Sequence, residues 1–374
     1  MRRLRNLLLF AIGALALIIG LTWTFRAQLA PWLGVNVDGE GGGAADLQLP
    51  VGYESGVFAD GLDGPRFMEV SPDGVLFVAE RGADRVIALP DADADGNADE
   101  IVEVGTGYGR AHDLEFTTEG TLLVAGETVL WEVTLDDLAE VDRRVVIDGL
   151  PTGGHTTKSV EILPSGETLL SIGSSCNVCD EEDERRATVQ LLADDVLRPF
   201  MVGLRNAVGV WVDPDTGRAW ATNMGRDLLG DDEPPETVYE LIEGADAGWP
   251  RCHAGTLRDP EFGTADDACD GAAVPAATFP AHTAPLALVG WGDHAYVALH
   301  GSWNSFVKVG YAVWRIPWSD DGPTGDPEPF ATGFLPEGAD DALGRPAGLA
   351  VGADGALYVS DDKAGYIYRI TPPR

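Results

Sequence analysis

Lysine is almost absent from this chain: only Lys158, Lys308 and Lys363 occur in 374 residues. Lysine and arginine together number 25 against 61 aspartates and glutamates, a formal net charge of −36. A surface with that balance repels phosphate backbones and anionic lipid surfaces, which rules out nucleic acid as a leading partner. It suits high salt, where screening relieves self-repulsion, and follows equally from a lysine-poor, GC-rich genome. Cysteine is scarce too, with four residues. Cys176-Asn177-Val178-Cys179 lacks the histidine that would follow in a haem-attachment site, and no second such pair exists to complete a zinc site. For an exported chain the simplest pairing is Cys176 with Cys179 and Cys252 with Cys269. What is present, 45% hydrophobic residues, is enough for a sizeable core and argues against disorder.

The N-terminus carries the signal for export. Arg2, Arg3 and Arg5 precede an uncharged, mostly apolar run from Leu7 to Phe25, which Arg26 closes. At about 1.5 Å per residue the run nearly crosses a hydrocarbon core of roughly 30 Å. The arginines put that end in the cytoplasm and the remainder on the periplasmic or extracellular side of the cell membrane. Residues 1–30 are therefore a single-pass signal anchor, with a cleaved signal peptide as the rival reading. Residues 31–50 contain Gly39-Glu40-Gly41-Gly42-Gly43 with no Gly-Lys-Ser/Thr after it, and are expected to be a flexible tether rather than a phosphate loop.

From residue 51 onward one theme recurs: a short apolar strand, a Pro/Asp/Gly turn and a second strand rich in β-branched or aromatic residues. The clearest copy is Phe67-Met68-Glu69-Val70 and Val75-Leu76-Phe77-Val78 around Ser71-Pro72-Asp73-Gly74. Further copies begin at Leu114, Val160, Val208, Leu286 and Gly348. Intervals start at roughly 46 residues, a size suited to a four-stranded blade. The expected fold is an all-β, six-bladed β-propeller over residues 51–374, preceded by one transmembrane helix. A pair of β-sandwiches is the structural alternative.

In a propeller the loops entering each innermost strand converge on the central channel. Those positions here hold Arg66, Arg110 with His112, His155 with Lys158, Arg205 with Asn206, His282 and Arg345. Gathering cations in so acidic a chain calls for an anionic ligand, because unpaired buried guanidinium groups are costly. The competing explanation pairs each arginine with a local carboxylate such as Glu69 or Asp113.

The order of several motifs resembles the pyrroloquinoline quinone (PQQ)-dependent sugar dehydrogenases, the L-sorbosone and pyranose dehydrogenase group related to soluble aldose dehydrogenases. They are Gly153-Gly154-His155-Thr156-Thr157-Lys158, Gly203-Leu204-Arg205-Asn206, Gly225-Arg226-Asp227-Leu228, Gly248-Trp249-Pro250, His300-Gly301-Ser302-Trp303-Asn304 and Gly344-Arg345-Pro346. The resemblance implies that His155 is the base that takes a substrate hydroxyl proton while hydride passes to the quinone. It implies that Arg205 and Asn206 contact the quinone and that Arg345 binds a cofactor carboxylate. Arg66 and Lys158 join them as cofactor-binding candidates on position alone, and Trp303 as a ring that could stack on the cofactor or pack between blades. The chain departs from the pattern at Ser305, where arginine is frequent, and at Arg205-Asn206-Ala207-Val208-Gly209.

The same resemblance implies calcium beside the cofactor, with backbone oxygens at Gly225 and Arg226, and the carboxylates of Asp227, Asp231, Asp232 and Glu236 in the following loop could hold this ion or a second structural one. A separate structural calcium is expected at Asp91, Asp93 and Asp95, whose one-three-five spacing with Gly96 is that of an EF-hand loop, although Val102 stands at the twelfth position. The activity implied is oxidation of a sugar, polyol or aldehyde, with electrons leaving to an external acceptor. Two other readings of the residues remain: a calcium-dependent lactonase-type hydrolase, which needs a metal held by side-chain carboxylates and amides, and a glycan- or protein-binding propeller.

Overall fold

The computed structural model describes residues 44–193 and 196–373, so the expected membrane segment lies outside the described residues. Six antiparallel sheets follow one another along the chain, at 65–106, 113–148, 160–202, 210–279, 285–331 and 346–371. All six sequence repeats coincide with the first two strands of these blades. The second strands explain why: Leu76–Glu80, Thr168–Ile172, Ala219–Asn223 and Leu357–Asp361 are buried along their whole length, packed between neighbouring sheets. A strand covered on both faces reads as a continuous apolar run. Outer strands such as Ala139–Asp148 are largely exposed and carry no comparable signal. The inner hairpins close on glycine where the backbone turns left-handed: Gly74 has φ +87° and donates its N–H to the Ser71 carbonyl at 2.8 Å.

The ring closes in a way the repeats did not reveal. Strand Glu54–Ala59 pairs antiparallel with Tyr366–Thr371, Val57 opposite Tyr368, and so completes the sixth blade with the first strand of the chain. Closure removes the free sheet edge between the ends of the chain. The segment before it is packed, which corrects the expectation of a tether up to residue 50. Gln48 bridges Thr332, the Ala45 amide donates to the Tyr368 hydroxyl at 2.7 Å, and Leu47 and Leu49 pack on the core around Phe330 and Phe334.

Blade four contains a 36-residue excursion between Glu236–Glu240 and Ala277–Phe279. It holds a small hairpin and the Cys252–Cys269 disulfide, and it accounts for the longer repeat interval there. The second expected bridge, Cys176–Cys179, sits in the loop between the second and third strands of blade three. Loops of that class, together with those leading into each first strand, emerge on one face of the propeller. That face carries the site.

Candidate active site

His155 enters on the loop between blades two and three, where Gly153 and Gly154 both have positive φ. Its Nδ1 lies 3.1 Å from the Ser174 carbonyl and 2.9 Å from the Ser174 hydroxyl, which itself donates to the Cys176 carbonyl at 2.6 Å. A carbonyl only accepts, so Nδ1 carries the proton and Nε2 keeps its lone pair. Burial, and then the Arg205 charge, push the imidazole down to about 3, which keeps it neutral. Gly173 lets this happen: a Cβ there would stand 2.5 Å from Asn206 Oδ1 and 2.6 Å from His155 Cβ. The Ser174 amide donates to the Arg205 carbonyl at 2.8 Å, so His155, Arg205 and Asn206 form one cluster.

Arg205 is bound to protein along most of its guanidinium. Nε donates to the Asn177 carbonyl, Nη1 to the Gly225 carbonyl at 2.6 Å, and Nη2 to Asn177 Oδ1 and to Asp227, both at 2.9 Å. Asn206 is different, for its Oδ1 is buried with no hydrogen-bond partner. Lys158 is fully buried, and among the described residues its ammonium meets the Thr156 carbonyl at 2.9 Å with no carboxylate within ion-pair distance. Burial, and then the Arg186 charge, lower it to about 8. Arg186, which sequence reasoning missed, is buried too and donates only to the carbonyls of Thr152, Gly153 and Gly173. Its only signal in the sequence was its place in the Arg185-Arg186 pair.

The other half of the ring is built around Asp362, also missed. It pairs with Arg66, and His300 Nε2 lies 2.8 Å from its Oδ1. The sequence reading offered Glu69 or Asp113 as local partners for such arginines, and neither serves. Arg66 Nε also reaches His112 Nδ1 at 3.3 Å, leaving His112 Nε2 buried and unbonded. Asp362 is held below the usual carboxylate range by His300 and Arg66 despite its burial. His300 is pushed down to about 4 by burial and by Arg345. Arg345 donates to the carbonyls of His300 and Gly301. The charges of Arg66, Arg81 and Lys158 all act on His112, linking the two halves across the axis. Arg110 is on the rim, its side chain 62% exposed. His282 is bonded to the Gly230 carbonyl, away from the ring. Trp303 is exposed on the site face, which rules out the inter-blade packing considered for it.

At Gly225–Asp232, where calcium is expected, the Gly225 carbonyl and the Asp227 carboxylate each accept from the Arg205 guanidinium, and Asp231 accepts from the Phe306 amide. The Arg226 guanidinium pairs with Asp259 and Glu261. Among the described residues two groups bring three potential metal ligands together: Asp91, Asp93 and Asp95, and the bridged Cys176 and Cys179 with Glu181. The aspartate group lies on the opposite face, in the hairpin between Arg85–Leu89 and Val102–Thr106.

A feature with no counterpart in the sequence reading is an axial cavity of about 480 Å³ formed by the first strands below the site. Glu69, Asp113, Glu115 and Glu161 line it. Burial, and then a neighbouring acid, raise Glu69 to about 8 and Glu115 to about 11; Glu161 is raised strongly for the same reasons, and burial alone takes Asp113 to about 7.

The model of the TrAA12-like family matches residues 47–234 and 252–373. A PQQ-dependent pyranose dehydrogenase of Coprinopsis cinerea is 26% identical over 87% of this chain and 54% of its own length. The chain thus spans about half the length of the curated relatives it matches. Among solved structures, the holo PQQ domain of the Coprinopsis cinerea pyranose dehydrogenase superposes with a TM-score of 0.79 at 24% identity, covering 89% of this chain and 98% of that one. A calcium structure of the Trichoderma reesei family AA12 protein gives 0.77 at 22% identity, covering 90% and 99%. These two likenesses establish the fold.

Proposed function

The chain belongs to the TrAA12-like family, and from that premise we propose that it oxidises a sugar hydroxyl with PQQ as the resident cofactor. One observation carries the reading: Lys158 and Arg186 are buried beside His155 without a carboxylate partner. Two buried cations with no carboxylate bonded to them, Glu127 acting on Lys158 only from a distance, call for an anion, and a tricarboxylate has the charge. Lys158, Arg186, Arg66 and Arg345 would hold it, and the orphan Oδ1 of Asn206 is free to accept from a hydroxyl. Bound there, the quinone supplies the two-electron acceptor for hydride.

The chain's own part is proton transfer and positioning. His155 presents an unprotonated Nε2 and is held by Ser174, so it takes the hydroxyl proton as the C–H bond is broken. A pKa near 3 makes it a weak base, but the depression comes partly from Arg205 and Arg186. An anion screening those charges returns the imidazole toward its ordinary range. No step is derived through calcium. The lactonase reading is disfavoured because the site face gathers cations, not carboxylates and amides around a metal. Export with an N-terminal anchor, residues 51–374 as the catalytic unit and a separate electron acceptor belong to the same proposal; the two disulfides support an oxidising compartment.

The test is reconstitution of the protein with PQQ, with and without Ca²⁺, followed by dye reduction over a sugar panel at low and high salt. Sugar-dependent reduction is expected, and His155→Ala should keep cofactor binding while losing roughly 10²- to 10⁴-fold in turnover. No reduction with any sugar, or unchanged turnover in the variant, refutes the assignment.

A further inference from the structure

The site face carries the large apolar side chains that a soluble rim would not. Trp303, Phe306 and Val307 are 45%, 68% and 67% exposed, and Leu228 is 60% exposed. They sit on two adjoining loops joined where the Phe306 amide donates to Asp231. Asp227 in the first of these loops is the residue that pairs with Arg205, so the apolar cluster borders the site itself. A cluster of this kind on a protein of net charge −36 marks an interaction surface.

The N-terminal chain arrives at the same face. Residues 44–48 join the propeller beside the loop between blades five and six: Gln48 bridges Thr332, and Gly333 lies against the Asp46 carbonyl. That loop leads into Arg345, a site residue, and Trp303, Phe306 and Val307 belong to blade five. Outside the described residues lie 43 residues that contain the apolar run Leu7–Phe25. The described residues begin at Ala44, 18 residues after Arg26 closes that run.

We propose that the site face rests on the lipid bilayer, with Trp303, Phe306, Val307 and Leu228 inserted at its surface and the mouth of the site turned toward the membrane. This arrangement suits an acceptor dissolved in the lipid. The proposal rests on the reading of residues 1–30 as an anchor and is independent of the sugar chemistry.

All four native cysteines are bridged, so a single introduced thiol can be labelled selectively. Full-length Val307→Cys and Val196→Cys, the latter at the start of the fourth strand of blade three on the opposite face and 62% exposed, would each carry an environment-sensitive fluorophore. Each is reconstituted into phosphatidylcholine vesicles with nitroxide-labelled lipid. The expected result is a blue shift and at least a two-fold loss of emission at position 307, with neither at 196. Equal quenching at both positions, or quenching at neither, overturns the proposal. Because no turnover is measured, this outcome is separate from that of the sugar-oxidation test.

Discussion

Replacing Glu69 with glutamine isolates the energetic cost of the axial carboxyl ring. In the native protein Glu69 is raised from 4.5 to about 8 by burial and by Asp113, so between those two values folding must return a proton to it. The sign follows directly: the unfolded carboxyl loses its proton near 4.5 and the folded one only near 8, so stability contributed by the protonated group falls as pH rises through that window. At about 1.36 kcal/mol per pH unit the ceiling is about 5 kcal/mol. Glu69 shares its repulsion with Glu115 and Glu161, so one substitution should recover less than half, about 2 kcal/mol. For a domain of this size that is a rise in Tm of about 4 °C. Glutamine keeps the shape and an acceptor and needs no proton. Melting followed by circular dichroism at pH 4.5, 6, 7 and 8 in a chelating buffer should show Glu69→Gln equal to the native protein at pH 4.5 and more stable at pH 8. A shift that is the same at every pH, or a lower Tm at pH 8, refutes the reasoning. The latter would mean that the carboxylates are charged and balanced by a cation.

Asp362→Asn leaves Arg66 and His300 without their shared counter-ion, so denaturant unfolding should report a loss of about 3–5 kcal/mol; a loss under about 1 kcal/mol would mean that water already screens the pair. Gly173→Ala puts a methyl group against Asn206 and His155, and should cut dye-coupled turnover at least ten-fold with Tm lowered by only a few degrees, since the clash is confined to the site; unchanged turnover would show that the site tolerates the shift.

The six blades were legible because each second strand is buried on both sides and each inner hairpin needs a glycine turn, which together force a repeated pattern onto the sequence. The closing strand was not, because Glu54–Ala59 lies outermost in blade six with one exposed end and has no repeat partner in sequence. Position before the first strands placed Arg66, His112, Lys158 and Arg205 on the site face without any contact being known. Arg186, Asp362 and Ser174 lie in loops between second and third strands, whose lengths vary from blade to blade, so no periodicity points to them. The acidic run at 227–232 reads as a cation site through the family resemblance, since composition alone leaves it a solvated loop. What composition hides is that its first carboxylate is already bound to an arginine from another loop.

The two ends of the axis are coupled through the same three strands. Arg66, His112 and Lys158 stand three residues before Glu69, Glu115 and Glu161. At about 3.3 Å per residue this puts the cationic and carboxyl rings about 10 Å apart along blades one to three. Were the lower ring ionised, each carboxylate would act on the cations above it with about 1.7 kcal/mol at an effective dielectric of about 20. The ring could then serve as their counter-charge. Burial and mutual repulsion instead raise Glu69 to about 8 and Glu115 to about 11 and push Glu161 well up, which favours their uncharged forms. Lys158 and Arg186 have no carboxylate at bonding distance among the described residues, Glu127 acting on Lys158 only from farther off, and in the proposed function a bound anion supplies the negative charge that completes the site.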